Sequence, residues 1–234
     1  MGFINSIQNF GHRVYNFLTD LRVVKYGTLM GLIIFISAIL IGIIVAQFDP
    51  DGYNIIDNYI SDMGSINHTP YPFILDFGNM ISSILFIPSA FYLEKKLAPL
   101  PQNPEELRDI SRMRLRLSSY GVIMMLLGFI GMFGTGLFSE DRSTILNLHW
   151  LFTIVVFVGL AMTGFFFGLL IVFYNSNFPK LLGIYMILGP SVIAGILFSQ
   201  GFQPLHEWIM LGSLFMWIIP SCIISVKNIN QELK

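Results

Sequence analysis

The sequence predicts an all-α polytopic membrane protein: six transmembrane helices, an N-terminal amphipathic interfacial helix and a short helix in an outer loop. Three observations predict it. Of the 234 residues, 54% are hydrophobic and only 12% charged, against roughly 25% charged in a soluble domain, and the mean hydropathy is +0.70. The apolar residues gather in six stretches, 27–47, 72–93, 117–138, 148–174, 180–199 and 205–226, each near the roughly 20 residues a helix needs to cross the bilayer core. The basic residues alternate in step with those stretches, so that Arg142 alone among the 13 Lys and Arg falls on the second side. A transmembrane β-barrel would show short alternating segments instead, and unpaired backbone is not viable in lipid.

Residues 1–26 form a cytoplasmic amphipathic segment. Phe3, Ile7, Phe10, Val14, Phe17 and Leu21 recur at three- and four-residue spacing, the pattern of a helix lying on the inner leaflet, with His12 on its polar face. The six-helix transmembrane domain occupies 27–226 and a cytoplasmic tail 227–234. The first span is longer than a signal-peptide core and reads as retained. Arg13, Arg22 and Lys25 precede it, Lys95, Lys96, Arg108, Arg112, Arg114 and Arg116 lie between spans 2 and 3, Lys180 follows span 4, and Lys227 and Lys234 follow span 6. The positive-inside rule then puts both termini in the cytoplasm of a plasma-membrane protein. In "NPEELRDISRMRLR" the Asn-Pro-Glu-Glu start predicts a capped helix leading into span 3.

Between spans 1 and 2, Ile55, Ile56, Tyr59, Ile60 and Met63 repeat at helical spacing, with Asp57/Ser61 and Asn58/Asp62 as i,i+4 pairs. This predicts a short interfacial helix, broken by Gly64, Pro70 and Pro72 before span 2 begins. Within span 2, Asp76, Asn79 and Ser83 share one face, which must look into the bundle because an ionised carboxylate facing lipid is costly. His149 opens span 4 and His206 span 6, each with a tryptophan within two residues, as at an aromatic belt. They are either interfacial anchors, or, with a carboxylate from Asp62, Asp76 or Glu207, a metal-binding or acid/base set. Gly128, Gly131, Gly134 and Gly136, and the pair Gly164 and Gly168, permit close helix approach. Pro88, Pro190 and Pro220 predict kinks. Asn67-His68-Thr69 matches an N-glycosylation acceptor.

Composition excludes other classes. A net charge of −1 leaves no basic surface for nucleic acid, and the single Cys222 rules out an intrachain disulfide or a cysteine-built metal site. Membrane lipids are the expected partners, with self-association into a homo-oligomer left open.

"ISDMGSINHTPYPFILDFGN", "GTGLFSEDRSTILNLHW" and "FQPLHEW" resemble an uncharacterised prokaryotic six-span membrane family known as domain of unknown function 998. The matching positions are Ser61, Gly64, Phe77, Asn79, Gly136, Phe138, Asp141 and His149, while Met63, Ser139 and His206 depart from the family's usual residues. "ISDMGS" is also similar, distantly, to a turn of the damage-regulated autophagy modulator group. The resemblance implies six spans and, through the second group, a link to lipid handling.

Three functions follow as expectations. The first is binding of a lipid or amphiphile in a polar pocket open to the outer leaflet, with Ser61, Asp62, Asp76, Asn79 and His149 meeting its headgroup. The second is a metal-dependent intramembrane hydrolase or lipid-modifying enzyme that uses His149 and His206 with Asp62 or Asp76, zinc being the ion such a set would take. The third is a proton-coupled transporter with Asp76 as its proton site, for which neither a midplane charge in spans 3 to 6 nor an inverted repeat is evident. The first reading requires no cofactor.

Overall fold

Asp20 divides the N-terminal segment in two. Its carboxylate accepts the backbone N–H groups of Arg22 at 2.9 Å and Val23 at 3.2 Å, the geometry of a helix N-cap, so one helix stops at Leu18 and the next starts at Leu21. The structure, a computed structural model, describes residues 2–99, 111–142 and 146–234. The described residues include seven α-helices and no strand: α1 (Gly2–Leu18), α2 (Leu21–Ala46), α3 (Phe73–Leu97), α4 (Arg112–Leu137), α5 (Leu148–Phe173), α6 (Lys180–Gln200) and α7 (Pro204–Glu232). Helices α2 to α7 are long and apolar enough to cross a membrane.

These six correspond to the six apolar stretches, with extensions at one end. Helix α2 begins at Leu21 rather than 27, and α7 runs on to Glu232 rather than stopping at 226. Arg112, Arg114 and Arg116 form the first turns of α4 itself, while the expected capped start at 103–106 lies outside the described residues. The bundle end that carries both chain termini and these cations is called the basic end. The acidic end carries the connections after α2, α4 and α6.

Each spanning helix packs chiefly on its chain neighbours, and α7 closes the bundle by meeting α2 and α5 as well as α6. The core toward the basic end is apolar, built around Phe86, Phe129, Phe167, Leu170, Leu214 and Trp217. Cations there finish the helices. Arg114 Nε donates to the Leu97 carbonyl at 2.7 Å, and Lys180 Nζ donates to the carbonyls of Ile171, Val172 and Tyr174 at 2.6, 2.8 and 2.7 Å. Those carbonyls have no partner within α3 or α5, and the positive charge also opposes the negative pole of the helix dipole. Lys96 and Glu232 join the ends of α3 and α7 at 2.7 Å.

The loop helix departs from its expected form. The apolar spacing predicts helix over 55–63, but only Ile60–Gly64 is helical, as one 3-10 turn. Asn54 competes with the helix: its Oδ1 accepts the N–H groups of Ile56 and Asp57, both at 3.0 Å, which folds 54–57 into a side-chain-closed turn. Asp57 accordingly accepts from Asn54 Nδ2 at 3.0 Å instead of pairing with Ser61. The expected Asn58–Asp62 pair is formed, at 3.3 Å.

Glycine decides how closely α4 and α5 approach. A Cβ added to Gly159 would lie 2.6 Å from the Gly128 nitrogen and 2.8 Å from its Cα, against rigid backbone. Gly159→Ala is therefore expected to destabilise the bundle by about 1–3 kcal/mol, read as a lower unfolding midpoint in detergent. Gly195→Ala, whose new methyl would meet nothing within 4 Å, should leave that midpoint unchanged.

Candidate functional site

At the acidic end, a loop of unpaired backbone amides has been laid across a helix bundle, and carboxylates from three separate elements hold it there. Asp62, inside the loop, accepts the Tyr59 N–H at 2.9 Å. Glu207, in the first turn of α7, accepts the Ile60 N–H at 2.7 Å through Oε2. Asp141, in the short 3-10 turn Glu140–Arg142 after α4, accepts the Ile66 N–H at 2.6 Å and the Ser65 hydroxyl at 2.7 Å. Trp208 Nε1 adds a bond to the Asn58 carbonyl at 3.2 Å, and Tyr53 donates its hydroxyl to the Tyr59 carbonyl at 2.8 Å. These bonds satisfy the Tyr59, Ile60 and Ile66 amides and the Asn58 and Tyr59 carbonyls.

Beneath this loop lies Asp76, the first acidic residue of α3, only 5% exposed. Its charge is met by Arg142: Nη2 donates to Oδ2 at 2.6 Å and also to the Gly136 carbonyl at 2.9 Å. The single basic residue of the acidic end is thus the partner of the acid that the sequence places inside a span. The loop's Gly64 leaves room for this arrangement, since a Cβ there would sit 2.9 Å from Asp76 Oδ1.

His149 is fixed by a backbone contact. Its Nδ1 lies 2.7 Å from the Phe138 carbonyl, which can only accept. Nδ1 therefore carries hydrogen, and in the neutral ring Nε2 keeps the free lone pair. Stacking of Phe138 on Phe152, with ring centroids 5.6 Å apart, holds the acceptor in place.

Two cavities meet at this level. The inner one, of about 70 Å³, is walled by Ser61, Asp76, Asn79, His149 and Glu207 and floored by apolar side chains including Leu211. The outer one, a vestibule of about 280 Å³, takes in Tyr59, Glu140, Trp150 and Phe202. Ser61, His149, Thr153 and Glu207 line both and form the neck between them. A third cavity, of about 40 Å³, continues toward the basic end and shares Phe35 and Met132 with the inner one. Thr28, Trp217 and Ser221 line it with polar atoms that find no hydrogen-bond partner. Glu140 lies beside Asp62, and burial together with the Asp62 charge pushes its carboxyl above the ordinary glutamate range.

Ser61, Asp76, Asn79 and His149 thus come together as expected, joined by Glu207. Asp62 lines neither cavity and is occupied with the loop's own amides. His206 also lines neither; its Nδ1 lies 3.0 Å from the Gly201 carbonyl. Among the described residues no group of three or more His, Cys, Asp or Glu is arranged to hold a metal ion. Sequence reasoning missed the role of Arg142 as the partner of Asp76. The signal available was charge balance: one cation and one span-embedded acid on the same side. Asn67 of the glycosylation motif is exposed, whereas Thr69 is buried.

Comparison with protein-family models, curated proteins and solved structures finds no match to this chain.

The Arg142–Asp76 pair can be tested by substitution. Arg142→Gln leaves a buried carboxylate without its cation and should destabilise by about 2 kcal/mol. Combining it with Asp76→Asn should restore part of that loss. Thermal unfolding of the single and double variants in detergent measures both, and strict additivity would contradict the pairing.

Proposed function

We propose that this protein binds a lipid or other single amphiphile at the acidic end of its bundle, with the headgroup in the vestibule and neck and the chain directed into the apolar interior. The observation that supports this reading most is the continuity of polar and apolar linings. The vestibule and neck offer Ser61, His149 and Glu207, and the inner cavity beyond them is floored by Leu211, Ile39 and Phe35. Phe35 and Met132 are also walls of the next cavity, so rotation of two flexible side chains would lengthen the apolar path. Binding sites of this kind combine a mainly apolar wall with a few convergent polar groups.

In the same reading the acidic end faces the outside of a plasma membrane and both termini are cytoplasmic, following the distribution of Lys and Arg. Helix α1 lies on the inner leaflet: Phe10 and Phe17 are exposed, at 64% and 61%, and are available to enter lipid. Membership of the uncharacterised six-span family belongs to this proposal too, on the positions Ser61, Gly64, Asn79, Asp141 and His149.

A second reading, hydrolysis of the bound lipid, is favoured by one observation. The carbonyl contact at Nδ1 leaves His149 Nε2 as a base in the cavity that Ser61 also lines. Release of fatty acid from labelled phospholipid, abolished by His149→Gln, would support it with or without added zinc.

Native mass spectrometry of the protein released from lipid nanodiscs tests the binding reading. Wild type is expected to carry one retained lipid mass. Thr153→Trp, which fills the neck, should lose it while keeping the same far-UV circular dichroism. A wild type that flies bare, or a variant that retains the adduct equally, would count against it.

A further inference from the structure

Three features of the vestibule point to one kind of headgroup. The first is charge. Glu140 and Glu207 both line it, and Asp62 lies close enough to Glu140 to raise its proton affinity. Among the described residues the acidic end's one ion pair is Arg142 with Asp76; the His68 ring lies near enough to act on Glu140 but makes no ion pair with it, and Glu207 has no ion-pair partner. The second is the state of Glu207. It is only 4% exposed, its Oε2 accepts the Ile60 N–H, and its carboxyl lines both cavities. A buried carboxylate gains strongly from a cation brought into the same low-dielectric space.

The third feature is aromatic. Tyr59, Trp150 and Phe202 line the same vestibule as the two glutamates. Tyr59 is tied to that position, since its hydroxyl donates to the Phe202 carbonyl at 3.2 Å. Aromatic faces attract cations through the ring quadrupole, and quaternary ammonium groups, which have no N–H to donate and spread their charge over their alkyl substituents, are recognised by aromatic faces. A sodium ion would keep its tightly held water in preference to the rings, and an anionic headgroup would be repelled by the glutamates.

We propose that the vestibule is an alkylammonium site: the cationic nitrogen lies between Glu140 and Glu207, with its carbon substituents against Tyr59, Trp150 and Phe202. This rests on the amphiphile-binding reading for the chain of the ligand and not for its head, because the same chemistry would also accept a free alkylammonium ion. A lipid carrying a choline-type headgroup and a free choline-like molecule are the two sources, and they differ in whether an apolar chain adds affinity.

Titration calorimetry of the purified protein in a neutral maltoside detergent separates the cases with three probes: dodecyltrimethylammonium, uncharged monododecanoylglycerol and choline. Dodecyltrimethylammonium is expected to bind about tenfold or more tightly than the uncharged chain. Glu140→Gln, at an exposed position that holds no backbone amide, should reduce that preference, and Trp150→Ala should reduce it independently of Glu207, whose substitution also frees the Ile60 amide. Choline binding on its own, sensitive to the same two variants, would support the ammonium site and remove the need for a chain. Equal binding of the charged and uncharged dodecyl probes would overturn the ammonium assignment while leaving the amphiphile reading intact. Binding of none of the three would overturn both.

Discussion

Backbone amides of the 59–66 loop must be satisfied at the boundary of an apolar bundle, and the rest of the acidic end depends on how that is done. Asp62, Glu207 and Asp141 supply carboxylate oxygens to Tyr59, Ile60 and Ile66 at 2.9, 2.7 and 2.6 Å. Hydrogen bonds to a charged partner are each worth about 1.5–3 kcal/mol, and losing one strands a buried group. Because the acceptors come from the loop itself, from α7 and from the turn after α4, the same bonds that close the loop also fix three parts of the fold against one another. This arrangement ties the loop wall at Ser61 to the α7 wall at Glu207.

The two ends of the bundle solve the problem of unmet helix and loop groups with opposite charges. At the basic end, Arg114 and Lys180 donate to terminal carbonyls of α3 and α5. At the acidic end, carboxylates accept from loop amides. Apolar packing between the two, around Phe86, Phe167 and Trp217, supplies the rigid support. At the acidic end Arg142 is already committed to Asp76, which leaves Glu140 and Glu207 without an arginine or lysine partner among the described residues. That residual negative charge, next to aromatic side chains, gives the vestibule its chemical preference.

Much of this was legible in the sequence because it follows from local periodicity. Twenty-residue apolar runs locate the spans, and helical spacing puts Asp76 and Ser83, both buried, on one inward face. The glycine series of α4 and α5 marks a close approach that the added-Cβ contacts at Gly128, Gly131 and Gly159 bear out. What was not legible depends on pairs distant in sequence or on competition within a turn. Arg142 lies 66 residues from Asp76, and no local pattern joins them. The loop helix shrinks to one turn because a single asparagine side chain outbids the helix for two amides. His149 and His206 share a depth in the sequence, but helix rotation separates them: one ring lines the cavity and the other turns toward Gly201.

Site-resolved hydrogen exchange of the loop amides tests the carboxylate account most directly. Tyr59, Ile60 and Ile66 amides should exchange far more slowly than free loop amides. Asp141→Asn should speed Ile66 by about tenfold or more while leaving Ile60 slow. Exchange of all three at unprotected rates in the wild-type protein, or no change at Ile66 in the variant, would contradict it.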